Sequence, residues 1–178
     1  MRFLVVGILF LIGNFSIFAQ DNYARLTVLI GSHIEFNFNT LDKYENGIQI
    51  PDGTTLGVAI GEIAPAVMTG WHLDVQTYLG ATDLVGSTGA TLPSETIQIE
   101  ATDANGNLGT AVFSGLTDLT AAGATIMSTN DLTDIPADPN THQINITYEC
   151  GMLPANNLMG ATADYYTIEV EFILIPDF

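Results

Sequence analysis

The tightest constraint on this chain is a two-residue rhythm that recurs along it and is clearest at the C-terminal end. Within Asp164–Phe178, one set of alternate positions is Tyr166, Ile168, Val170, Phe172 and Leu174. The other set is Tyr165, Thr167, Glu169 and Glu171, until Ile173 and Ile175 replace its polar members. β-Branched and aromatic residues at period two mark a half-buried strand, because successive side chains leave opposite faces of the backbone. The late switch to apolar on both sets predicts that the end of this strand is covered on both sides, by its own domain or by a neighbour.

The same rhythm runs through Tyr23–Ile30, His33–Asn39, Gly70–Leu79, Thr96–Ala101 and His142–Cys150. Shorter strands are predicted at Ile48–Ile50, Gly57–Ile63, Thr110–Leu116 and Gly123–Met127. Turn residues separate them at Glu45-Asn46-Gly47 and Pro51-Asp52-Gly53, and Asn105-Gly106 between two alternating runs predicts a hairpin. The stretches before Pro93, from Asn130 to Asn140 and from Gly151 to Ala163 read as loops. No window beyond the first residues sustains a 3.6-residue period, so no helix is expected. Many short strands with turns between them predict an all-β chain folded as an antiparallel β-sandwich, with a closed barrel or jelly roll as the alternative.

The first residues, MRFLVVGILFLIGNFSIFAQ, carry one Arg, an apolar run and small residues near Ala19. That is the layout of a secretory signal peptide over residues 1–19, cleaved after Ala19. The run Phe3–Ile12 is shorter than the about 20 residues a membrane-spanning helix needs, which leaves an uncleaved anchor as the weaker reading. Residues 20–178 then form a single β-sandwich domain, long enough to enclose a substantial core.

Removal of Arg2 leaves Arg25 and Lys43 against 20 acidic residues, a net charge of −18 for the exported chain. Phosphate backbones and anionic lipid surfaces attract clusters of Lys and Arg, and no such cluster exists here. Nucleic-acid binding is therefore excluded. The acidity fits a solvated, self-repelling surface outside the cell, or the binding of a divalent cation. Cys150 is the single cysteine, so no disulfide forms within the chain. Without a basic neighbour in its strand it is expected to be a buried, inert thiol.

Chemistry-bearing residues are sparse. His33, His72 and His142 stand singly in predicted strands, and no Gly-x-Ser-x-Gly nucleophile turn is present. Eight residues of strand would separate His142 from Cys150 by about 27 Å, so they form no dyad. Glu169 and Glu171 share a strand face at a spacing of about 6.8 Å. That separation falls in the range of the carboxyl pairs of glycoside hydrolases, which makes a jelly-roll glycosidase a remote alternative. Calcium has two candidate loops. In one, Asp103, Asn105 and Asn107 imitate the start of a calcium loop, although a hairpin turn explains the same residues. The other is the Asp131–Asp138 loop, with Asp131, Asp134 and Asp138 beside Asn130 and Asn140. Tyr78 and Tyr165 add a surface that a glycan would use, and Asn145-Ile146-Thr147 matches a glycosylation acceptor.

The order of Trp71-His72-Leu73-Asp74-Val75, Leu84-Val85-Gly86, Thr91-Leu92-Pro93, Ile146-Thr147-Tyr148 and Ala163–Phe172 resembles secreted bacterial Ig-like surface modules. These are the spore-coat-U-type pilins of archaic chaperone–usher systems and the WxL-type surface domains. The chain departs from them in having a single Trp and no disulfide. The resemblance covers Gly70 to Phe178 and implies an extracellular, non-enzymatic Ig-like sandwich serving in filaments, adhesion or surface attachment. In such modules an N-terminal strand of one subunit completes the sandwich of the next, and Tyr23–Ile30 is patterned for that role. It is equally patterned to be the first strand of its own domain.

Overall fold

In the computed structural model, the described residues are 23–61, 68–132, 136–152 and 157–178. The expected signal segment, Glu62 and Ile63 of the predicted Gly57–Ile63 strand, and Asp134 lie outside them.

The chain opens with β1 (Ala24–Ile30) and a short helix α1 (Leu41–Asn46), then β2 (Ile48–Ile60) and β3 (Gly70–Thr77). Two short strands follow, β4 (Asp83–Gly86) and β5 (Thr91–Pro93), before β6 (Ile97–Asp103). Next come β7 (Val112–Phe113), β8 (Thr117–Asp118), β9 (Ala124–Thr129) and β10 (Gln143–Cys150). The chain ends with β11 (Tyr166–Thr167) and β12 (Val170–Asp177). Among the described residues every strand pairing is antiparallel. One sheet has the order β1-β2-β10-β6-β8, a second β12-β3-β9-β7, and a small third β11-β4-β5. The fold is the all-β sandwich that the alternation predicts.

The two large sheets enclose the core with the alternate residues expected to point inward. Trp71, Leu73, Val75 and Thr77 of β3 are buried, as are Ile97, Ile99 and Ala101 of β6 and Ile144, Ile146 and Tyr148 of β10. Leu56 and Val58 of β2 complete the same cluster. Burying a side chain of this size stabilises by about 1.5–3 kcal/mol, so these positions dominate the fold energetically.

Several local expectations are corrected. Residues 41–46 form a helical turn after the N-cap Thr40, whose hydroxyl accepts from the Lys43 N–H at 3.4 Å. Six residues are too few to reveal a helical period. Pro51-Asp52-Gly53 is no turn between strands: β2 runs through it, with Asp52 at φ 50° and a register shift against β10 between Ile146 and Tyr148. A β-bulge absorbs those residues. Asn105-Gly106 makes no hairpin either, because β6 lies in the first sheet and β7 in the second. There the chain changes sheets, and only Val112–Phe113 of the predicted Thr110–Leu116 strand is paired.

The C-terminal strand is likewise two strands. Tyr166–Thr167 pairs with β4 and Val170–Asp177 with β3, so Ile168 and Glu169 form the step between sheets. Ile173 and Ile175 stand opposite Asp74 and His72 and are half-buried, as are Phe172 and Leu174 on the other face. His33–Asn39 joins none of the three sheets, although it keeps the expected alternation of half-buried Ile34, Phe36 and Phe38 with exposed neighbours. It is an extended strap.

A groove walled by the strap and the C-terminal step

The strap leaves β1 at Gly31 and crosses to α1. Thr54 Oγ1 donates to the Gly31 carbonyl at 2.6 Å, and Lys43 Nζ donates to the Asn37 carbonyl at 3.1 Å. Near its end the Phe38 and Tyr44 rings meet at 5.5 Å between centroids, tilted by 49°. Across from the strap run β11, the Ile168–Glu169 step and the start of β12, whose Tyr166, Ile168, Val170 and Phe172 pack on the core. Between these walls lies a cavity of about 1020 Å³. Its floor reaches the core at Leu56, Ile97, Tyr148 and Cys150, and Leu26 and Val28 of β1 border it.

Polar groups on the floor satisfy one another. The Thr54 hydroxyl has one proton, directed to Gly31, so the Tyr148 hydroxyl donates to Thr54 at 2.9 Å. Burial pushes the Tyr148 phenol up. Burial also pushes the Cys150 thiol up to about 12, so it is neutral and unreactive at neutral pH, as an unactivated strand cysteine should be.

One end of the groove is pinned by Asp164. Its carboxylate accepts from the hydroxyls of Ser87 and Thr88, from the Thr88 N–H at 2.9 Å and from the Tyr165 N–H at 2.7 Å. The Ser87 and Thr88 bonds hold the carboxyl well below the usual carboxylate range. Gly86 leaves room for it, since a Cβ there would run into the carboxylate. Sequence reasoning missed this pin because 76 residues separate Asp164 from Thr88.

The residues singled out from sequence divide into two groups. Tyr78, Tyr165, Glu169 and Glu171 all line the groove, and both tyrosines are exposed. Glu171 accepts from Gln76 Nε2 at 2.9 Å across the β3–β12 pair, while the Glu169 carbonyl receives the Tyr78 N–H at 2.9 Å. The calcium candidates are elsewhere. Asp103 accepts the N–H groups of Asn105, Gly106 and Leu108, and the Asn105 and Asn107 amides both donate to the Thr141 carbonyl at 2.8 Å. Asp138 caps its own turn through Asn140, and Thr110 reaches Asp131 at 3.4 Å. Among the described residues no group of three His, Cys, Asp or Glu side chains is arranged to hold a metal ion.

The histidines stay apart: His33 is exposed on the strap, His72 pairs with Asp177 at 2.9 Å, and buried His142 meets the Thr141 hydroxyl at 3.0 Å. Asn145 lies on the central strand β10 and accepts from the Thr55 hydroxyl at 2.9 Å, which ties its amide into the folded sheet. No helix among the described residues is long and apolar enough to cross a membrane. No protein-family model matches the chain, and no curated protein does either.

Proposed function

We propose that this chain is an exported, non-enzymatic structural subunit of a surface filament or adhesion layer, assembling by exchange of the Tyr23–Ile30 strand. The observation that carries the reading is the condition of β1. It is hydrogen-bonded in a sheet on one side only, its free edge runs beside β12, and Val28 and Ile30 are 51% and 64% exposed. An apolar edge strand invites pairing with another chain, and single-domain proteins usually blunt such edges with charge or proline. β1 carries one charge, Arg25, and no proline. It also borders a groove that opens onto core residues, the arrangement of a sandwich that accommodates an added strand.

Deleting Gln20–Ile30 tests this. Negative-stain microscopy of cells making the full chain is expected to show assemblies that the truncated chain does not form. Full-length protein that stays monomeric at the cell surface overturns the reading.

A second reading is favoured by Tyr78 and Tyr165, two exposed aromatic faces on one groove: a glycan-binding surface module. Binding on a glycan array that is lost in a Tyr78→Ala, Tyr165→Ala double variant supports it, and absence of any binding removes it.

A further inference from the structure

We propose that the partner of β1 is a second copy of this chain, whose β1 takes the place along β2 seen here, and that Gly31 is the hinge deciding between closed and exchanged forms. This rests on the strand-exchange reading above and says where the exchanged strand docks and what holds it back.

The closed form depends on one residue. β1 turns into the strap at Gly31, which has φ +73°. A Cβ built there collides with the Gly53 carbonyl, and the Thr54 Cα lies 3.0 Å away. An L-residue is therefore opposed twice, by its own backbone preference and by the neighbouring strand. Thr54 adds a hydrogen bond that fixes the Gly31 carbonyl in this turn.

Exchange keeps what the closed form has. The pairs Ala24↔Ile60, Leu26↔Val58 and Val28↔Leu56 re-form identically when β1 comes from a second copy. So does the Gly61 N–H bond to the Tyr23 carbonyl at 2.8 Å. Because both forms share these contacts, the equilibrium between them turns on the hinge and on the entropy of association. Opening the hinge breaks only the β1–β2 pairing, which the partner's β1 restores, because the strap itself is unpaired. Nine extended residues, Gly31 to Asn39, reach about 30 Å. Reciprocal exchange closes a dimer, and sequential exchange gives an open filament. The strongly negative chain repels its copies, so the exchanged fraction is expected to rise with ionic strength.

Gly31→Ala tests the hinge, since Ala strains the closed turn and fits an open one. Light scattering on the eluting protein is expected to show at least a doubling of mass relative to the wild type at the same concentration. Cysteines at Ala24 and Ile60 in a Cys150→Ala background report the topology. Facing Cα atoms in an antiparallel pair lie about 4.5–5.5 Å apart, within reach of a disulfide. With Gly31→Ala, the share of links formed between chains on a non-reducing gel is expected to rise above that seen without it. A Gly31→Ala protein that is monomeric, with links only within chains, overturns the proposal. If that variant does not fold, Thr54→Val removes the hydrogen bond at the turn, compared in a Tyr148→Phe background because Thr54 also accepts the Tyr148 hydroxyl. A shift of mass in the same direction then supports the hinge, and an unchanged monomer overturns it. Surface assemblies with links only within chains would sink strand exchange as the means of assembly and spare only the surface-subunit role. Interchain links without any surface assembly would do the reverse.

Discussion

Thr88 holds the Asp164 carboxylate twice, through its backbone N–H at 2.9 Å and through its hydroxyl. Together with the Ser87 hydroxyl, these bonds join the β4–β5 turn to the segment entering β11. They favour the ionised carboxylate and so lower its pKa. A depressed folded-state value means that the stabilisation is present above the ordinary aspartate value, about 3.9, and fades as pH falls toward the folded one. Asp164→Asn should lower Tm at pH 7, and the gap to the wild type should narrow below about pH 4. Thermal melts across pH 3–7 check this, and a gap independent of pH would contradict it.

Cys150 should behave oppositely along the pH axis. With its thiol pushed up to about 12 by burial, the protonated form is favoured in the folded protein. Its contribution is complete below the ordinary thiol value of about 8.5 and is lost as pH rises toward 12. At pH 8 an aromatic disulfide reagent should leave folded protein unmodified and label one thiol per chain in denaturant. Rapid labelling of the native protein would show that the groove exposes the sulfur.

The two faces of the second large sheet should respond unequally to truncation. Leu73 is fully buried between the sheets, whereas Ile173, one strand away, is half-buried on the outer face. Leu73→Ala should cost about 2–5 kcal/mol in urea denaturation, and Ile173→Ala about 1 kcal/mol or less in the monomer. Equal losses would mean that the outer face is packed against something.

The Asp103 loop should be stabilising without a metal. Three backbone N–H groups already occupy its carboxylate. Asp103→Ala is expected to cost about 1–3 kcal/mol, roughly 2–12 °C in Tm for a chain of this size. The loss should be the same in calcium and in a chelator. A wild-type melt that rises with calcium while the variant's does not would assign the loop to the ion.

Part of the candidate site was legible before the fold was known. Tyr78, Tyr165, Glu169 and Glu171 read as outward residues of alternating strands, and all four line the groove. Their convergence was not legible. It depends on the step at Ile168–Glu169, where the chain passes from one sheet to another, and on the strap opposite. Neither has a local signal, because an unpaired extended segment alternates just as a paired strand does.

That distinction separates what sequence determined from what tertiary structure decided. Which face of each strand turns inward is a matter of local geometry. Trp71, Leu73 and Val75, Ile97 and Ile99, and Ile144 and Ile146 were therefore assigned to the core by period-two spacing alone. Which strands pair is not local, because every extended backbone offers the same donors and acceptors. The hydrogen-bond partners of β1, the passage of the chain between sheets after Asp103 and the unpaired state of His33–Asn39 followed only from how the whole chain closes around one core.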